Sequence, residues 1–143
     1  MGDAYRKGAH SIFKLEAHIV WVTKYRYKIL KGKIAIETRD LIRRICAEND
    51  TSVLSGVVGV DHVHIVISYD PSTPISHLVQ QLKGKTSRLL QFKFPELGKK
   101  YWGQHLWARG YFAVSVGTVT ESALRDYIEH HFDDEPNDSF RIE

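Results

Sequence analysis

The spacing of apolar residues predicts a single run of secondary-structure elements. Leu15–Tyr25 (LEAHIVWVTKY) is dense in β-branched and aromatic residues and reads as a strand. Lys33–Asn49 places Ile34, Leu41, Ile42 and Ile45 at helical spacing. Ser52–Val60 and His62–Tyr69 are two β-rich stretches separated only by Asp61. They predict a tight hairpin, with Gly56 or Gly59 at a bulge. Thr73 as N-cap and Pro74 as first helical residue open a helix through about Lys93, with Ile75, Leu78, Val79, Leu82, Leu89 and Leu90 inward; Pro95 and Gly98 end it. Tyr111–Gly117 (YFAVSVG) reads as a fourth strand. Thr118 and Glu121 then form a capping box for a last helix to about Phe132.

The first six of these elements run strand, helix, strand, strand, helix, strand. This is the order of an α+β, ferredoxin-like (RRM-like) antiparallel sheet with helices on one face. The other sheet face is then available for function. That architecture serves both RNA-binding modules and enzymes, so the fold does not decide between them. A chain of 143 residues suits one domain with one core, here spanning 1–143, and residues 133–143 read as an acidic tail. No stretch is long and apolar enough to be a membrane span. The N-terminus lacks the apolar run of a signal peptide, so the expected location is the cytoplasm and no membrane partner is expected. Cys46, the lone cysteine, falls in an apolar pattern and reads as a small buried residue.

Charge changes the picture once it is divided along the chain. Residues 1–120 carry 18 basic and 9 acidic side chains, whereas 121–143 carry 2 and 8. The body is therefore basic and the end acidic. One basic cluster contains Lys24, Arg26, Lys28, Lys31 and Lys33; the other contains Lys83, Lys85, Arg88, Lys93, Lys99, Lys100 and Arg109. Tyr25 and Tyr27 are interleaved with the first, and Phe92, Phe94, Tyr101, Trp102 and Trp107 with the second. Cations for phosphates and flat rings for unstacked bases suit single-stranded nucleic acid. Of these residues, Lys24, Arg26, Lys83, Lys85, Arg88 and Arg109 are the expected DNA contacts.

Chemistry enters with the strand HVHIVISY. Its period puts His62, His64, Val66 and Ser68 on one face and Val63, Ile65, Ile67 and Tyr69 on the core face. Imidazoles two residues apart can converge on one metal ion. The spacing alone decides little: 8 His in 143 positions supply roughly 0.4 His-x-His pairs by chance. In ALRDYIEHHF, Leu124, Ile128 and Phe132 form an apolar stripe with Ala123, Tyr127 and His131 beside it, so a tyrosine hydroxyl and an imidazole share one helical turn. The plainer alternatives are paired or solvent-facing histidines, a Tyr127 at the core edge, and a His131 that complements the helix macrodipole.

The set formed by Asp61-His62-Val63-His64, Tyr127, VWVTKYRYKIL, LKGKTSRLL and WGQHLWARGYFAVSVG resembles the TnpA-type, single-tyrosine HUH transposases of small bacterial and archaeal insertion sequences. The resemblance runs from about His18 to His131. It implies a homodimer that recognises DNA hairpins near the element ends and cuts neighbouring single strands through a 5′-phosphotyrosine bond. Tyr127 is then the nucleophile, and His62, His64 and His131 are ligands of Mg²⁺ or Mn²⁺. The family carries glutamine four residues after its tyrosine; here that position is His131. Competing readings are a noncatalytic nucleic-acid-binding module and a related tyrosine nuclease acting on dispersed palindromic repeats. A histidine-triad hydrolase fits poorly, because Val66 stands where a third histidine is needed.

Overall fold

The computed structural model describes residues 6–7, 12–13, 15–100, 105–116 and 140–142. In chain order its elements are β1 (Arg6–Lys7), β2 (Ile12–Phe13), β3 (Glu16–Val22), α1 (Gly32–Glu48), β4 (Ser52–Val58), β5 (His62–Ser68), α2 (Ile75–Lys93), a short α3 (Pro95–Lys100), β6 (Phe112–Ser115) and β7 (Arg141–Ile142). β1 and β2 form a separate two-stranded ribbon, while the main sheet has the order β6-β3-β5-β4-β7. Its first four strands are antiparallel, with the connectivity of a ferredoxin-like α+β fold. The expected last helix, with Tyr127 and His131, and residues 133–139 of the expected tail lie outside the described residues.

Strand alternation sorts the sheet into two unlike faces. Ala17, Ile19 and Trp21 of β3 and Val63, Ile65 and Ile67 of β5 belong to the buried core. α1 contributes Ala35, Leu41, Ile42, Ile45 and Cys46 to the same core, and α2 contributes Leu78, Val79, Leu82 and Leu90. Full burial of each large aliphatic side chain stabilises by about 1.5–3 kcal/mol. Trp21 and Trp107 add an edge-to-face pair, their rings 5.9 Å apart. The alternate residues His18, Val20 and Val22, together with His62 and His64, occupy the other sheet face.

Several boundaries differ from the sequence expectation for identifiable reasons. The first strand ends at Val22 rather than Tyr25, because Lys24–Arg26 forms a 3₁₀ turn in which Tyr25 and Arg26 have φ of 59° and 55°. The bulge lies between Val53 and Ser55, not at Gly56 or Gly59. Gly56 serves a different need: a Cβ there would stand 2.6 Å from the ring of Phe140. Phe140 is itself buried, and β7 after it pairs parallel with β4, so Arg141–Ile142 forms one edge of the described sheet. That docking was not legible in an acidic tail. At the start of α2 the N-cap is Pro74, not Thr73, and no side chain caps it. Pro95 does not simply stop α2, since it opens α3, which contains Gly98.

Candidate functional site

The geometry of β3 and β5 builds the first half of the site. In their antiparallel register Val20 lies opposite His64, Val22 opposite His62 and His18 opposite Val66. His18 and His64 are therefore diagonal neighbours on one face, within reach of ring contact. Their rings stack with centroids 5.4 Å apart, and His18 Nδ1 lies 3.2 Å from His64 Nε2. His62 and His64 are almost fully buried, at 1% and 3% exposure. Burial first, and the nearby His18 and His62 second, push the His64 pKa down to about 3. The ring is consequently neutral at physiological pH, the form a metal ligand requires.

His62 is held from its other side. A carboxylate only accepts, so His62 Nδ1 donates to Asp61 Oδ1 at 3.0 Å. In the neutral tautomer this leaves Nε2 as the nitrogen with a lone pair. Asp61 Oδ2 in turn accepts from Arg26, at 3.0 Å from Nε and 2.9 Å from the terminal nitrogen. A histidine whose remote nitrogen donates to a carboxylate is the arrangement that fixes ring orientation at metal sites. The donor chemistry of His62 and His64 thus fits a divalent ion. Among the described residues no three His, Cys, Asp or Glu side chains form a ready metal cluster.

The second half is a groove of about 1240 Å³ along α2, closed on its far side by the loop 105–109. Lys24, Tyr25, Lys83, Arg88, Phe92, His105 and Arg109 are among its lining residues. Tyr25 and Phe92 are 71% and 85% exposed, far more than core aromatics. The loop is pinned to α2 by Trp107, whose Nε1 donates to the buried Thr86 hydroxyl at 2.8 Å. It is pinned also by Lys83, whose ammonium donates to the carbonyls of Ala108 and Gly110 at 2.7 and 2.8 Å.

The six cations expected to meet DNA therefore divide. Lys24, Arg88 and Arg109 line the groove. Lys83 lines it too, but its ammonium is committed to backbone carbonyls, and its pKa is lowered by burial. Lys85 is not a groove residue; its ammonium approaches Glu48 of α1 at 3.6 Å. Arg26 is paired with Asp61. The expected ligands His62 and His64 do share one face, while Tyr127 and His131 fall outside the described residues. Sequence reasoning missed His18 and the partners of Asp61, while Tyr25, named there among the rings suited to unstacked bases, does line the groove. The ion pair Arg26–Asp61 spans 35 positions, which no local pattern reveals.

The sequence profile of the family described as "Transposase IS200 like" matches residues 11–131. The chain belongs to the IS200-like transposase family. Among its relatives, the ISDra2 transposase TnpA of Deinococcus radiodurans is 35% identical over 130 residues, covering 91% of this chain and 93% of that protein. The transposase of insertion sequence element IS200 from Salmonella typhimurium is 30% identical over 135 residues, covering 94% and 88%. A crystal structure of a Deinococcus radiodurans R1 protein described as a transposase superposes with a TM-score of 0.79 at 32% identity, covering 90% of this transposase and 99% of that chain. A REP-associated tyrosine transposase bound to a REP hairpin shares the fold, with a TM-score of 0.57 at 12% identity over 87% and 67% of the two chains. Membership implies an enzyme that cleaves DNA and transfers strands. Among the described residues of this family member, no helix is long and apolar enough to cross a membrane.

Proposed function

We propose that this transposase cleaves and rejoins single-stranded DNA at the ends of an insertion sequence, with Tyr127 as nucleophile. The observation that carries the reading is the buried His62/His64 pair on one sheet face, with His64 held neutral and His62 oriented by Asp61. His62 and His64, with His131, would hold Mg²⁺ or Mn²⁺, which when bound would supply Lewis-acid stabilisation of charge on the scissile phosphate. The Tyr127 oxygen attacks phosphorus in line with the 3′-oxygen. A P–O bond to tyrosine forms as the P–O3′ bond breaks, the phenolic proton passes to solvent or a nearby base, and the departing 3′-oxygen is protonated. The 5′-phosphate stays on Tyr127. Attack by another 3′-hydroxyl reverses the step and joins a new strand without a nucleotide cofactor.

The groove holds the DNA in this reading. Lys24, Arg88 and Arg109 meet phosphates, and the exposed Tyr25 and Phe92 offer faces on which unstacked bases of a hairpin can rest. The active form is a homodimer joined through the β6 edge, where β3 is β6's partner within the described sheet. The 1–143 chain acts as one HUH domain, and it works in the cytoplasm, where its DNA resides. The test is incubation with single-stranded element ends and Mg²⁺, read by denaturing electrophoresis. A covalent protein–DNA adduct is expected, absent in Tyr127→Phe; an adduct that persists in that variant refutes the assignment. A noncatalytic nucleic-acid binder forms none.

A further inference from the structure

We propose that Arg26 and Asp61 form a positioning pair for the metal ligand His62, so that Arg26 acts on the metal centre rather than on DNA. The inference rests on the metal reading above and concerns residues that reading leaves unassigned. Asp61 is buried, at 6% exposure, and both carboxylate oxygens are engaged: Oδ1 accepts from His62 and Oδ2 from Arg26. A buried carboxylate is tolerated when it is paired and hydrogen-bonded, and here the two partners are a guanidinium and an imidazole N–H. Removing Arg26 leaves Asp61 with a weaker reason to stay where it holds the ring.

The backbone supports the same role. Tyr25 and Arg26 both sit in the left-handed region, at φ 59° and 55°, where non-glycine residues carry strain. The turn is nevertheless fixed at each step. Arg26 N–H donates to the Thr23 carbonyl at 3.0 Å, and the Thr23 N–H and hydroxyl both donate to the Asp61 carbonyl, at 2.9 and 3.2 Å. Asp61 is thus gripped through its main chain by Thr23 and through its side chain by Arg26. The strained turn sends the Arg26 side chain to Asp61, while the preceding Lys24 and Tyr25 line the groove. A residue recruited to meet a phosphate needs neither a buried partner nor this turn.

The test separates metal binding from DNA binding and from catalysis. Mn²⁺ affinity of DNA-free protein is measured from the electron paramagnetic resonance signal of free Mn²⁺, and hairpin affinity is measured separately in chelator. Arg26→Gln and Asp61→Asn are expected to weaken Mn²⁺ binding by about 10–100-fold, the range for partners that orient a ligand histidine. Arg26→Lys, which returns the charge without the planar fork, recovers part of that affinity. Hairpin affinity in chelator should stay within about 3-fold in Arg26→Gln, since the side chain removed does not hold a phosphate. Wild-type Mn²⁺ affinity in Arg26→Gln, with His62→Ala binding none, overturns the positioning role and leaves the metal reading standing. Unchanged Mn²⁺ affinity in His62→Ala overturns the metal reading itself. A drop in hairpin affinity alone makes Arg26 a DNA-binding residue and also overturns the proposal. Should Asp61→Asn not fold, the partly exposed Arg26 still decides the question.

Discussion

The histidine face of the sheet and the groove along α2 use polar residues in opposite ways. On the sheet, His62 and His64 are buried and His64 is kept neutral, with Asp61 and His18 in contact with the rings. In the groove, Arg88 and Arg109 are accessible, and the aromatic residues Tyr25 and Phe92 stand largely in solvent. Reaction chemistry asks for a lone pair at a fixed place, which burial and a second hydrogen bond supply. Recognition of a polyanion asks for accessible charge whose binding releases the counterions condensed on the DNA. Counting histidines and cations along the chain does not separate the buried, paired groups from the accessible ones; register and packing do.

The largest expected effect breaks the sheet half alone. His64→Ala should lower Mg²⁺-dependent cleavage by more than the roughly 10²-fold typical of changes one step removed from a metal ligand. Hairpin affinity in chelator should remain within a few-fold. Quantified adduct formation beside a gel-shift titration checks both, and equal reductions in the two would show that the halves are not separable.

The next effect breaks the groove half. Arg88→Ala with Arg109→Ala should weaken hairpin binding and flatten the slope of log affinity against log salt, by about 0.7–0.9 for each phosphate that the protein no longer neutralises. The Mn²⁺ affinity of the DNA-free protein should not change. A slope identical to wild type would remove both arginines from the interface.

Lys83 sharpens the comparison, because it is a cation in the groove whose ammonium bonds to protein. Lys83→Met keeps the aliphatic stem and deletes the two bonds to Ala108 and Gly110. We expect a drop in stability of about 1–3 kcal/mol by denaturant titration, as for hydrogen bonds to a charged donor, and a salt slope equal to wild type. A flattened slope with unchanged stability would return Lys83 to the DNA-binding residues.

These cases show what could be read in advance. Helical spacing in α1 and α2 and strand alternation in HVHIVISY are local patterns, and they located the core and put His62 and His64 on one face. The order of elements was enough for the ferredoxin-like sheet. Partnership was not legible, because it depends on register and on distant packing. His18 meets His64 only because β3 and β5 pair with Val20 opposite His64. Charge along the chain groups Arg26 and Lys83 with the other cations, and it does not reveal that their side chains meet Asp61 and the carbonyls of Ala108 and Gly110. Phe140 follows an acidic run, yet it occupies the space that Gly56 leaves open.

Cys46 gives the smallest expected effect and tests whether burial alone makes a site. Burial raises its thiol pKa to about 12, just as burial lowers that of His64; in both cases the neutral form is favoured. For His64 neutrality leaves a lone pair, the form the proposed ligand role requires, whereas for Cys46 it removes the thiolate that would react. Native protein at pH 8 should therefore resist alkylation by iodoacetamide, and Cys46→Ala should leave cleavage unchanged. The sign of the linkage follows from the raised value. Above the unfolded thiol pKa of about 8.5 the unfolded chain loses a proton that the folded chain keeps, so this group's contribution to stability is present below that pH and declines as pH rises toward about 12. Mass spectrometry after timed alkylation, run beside denaturant curves at pH 8 and 10, checks both claims. Rapid labelling of fully folded protein at pH 8 would show that Cys46 is accessible as a thiolate, and burial would then not be the common cause of the two neutral groups.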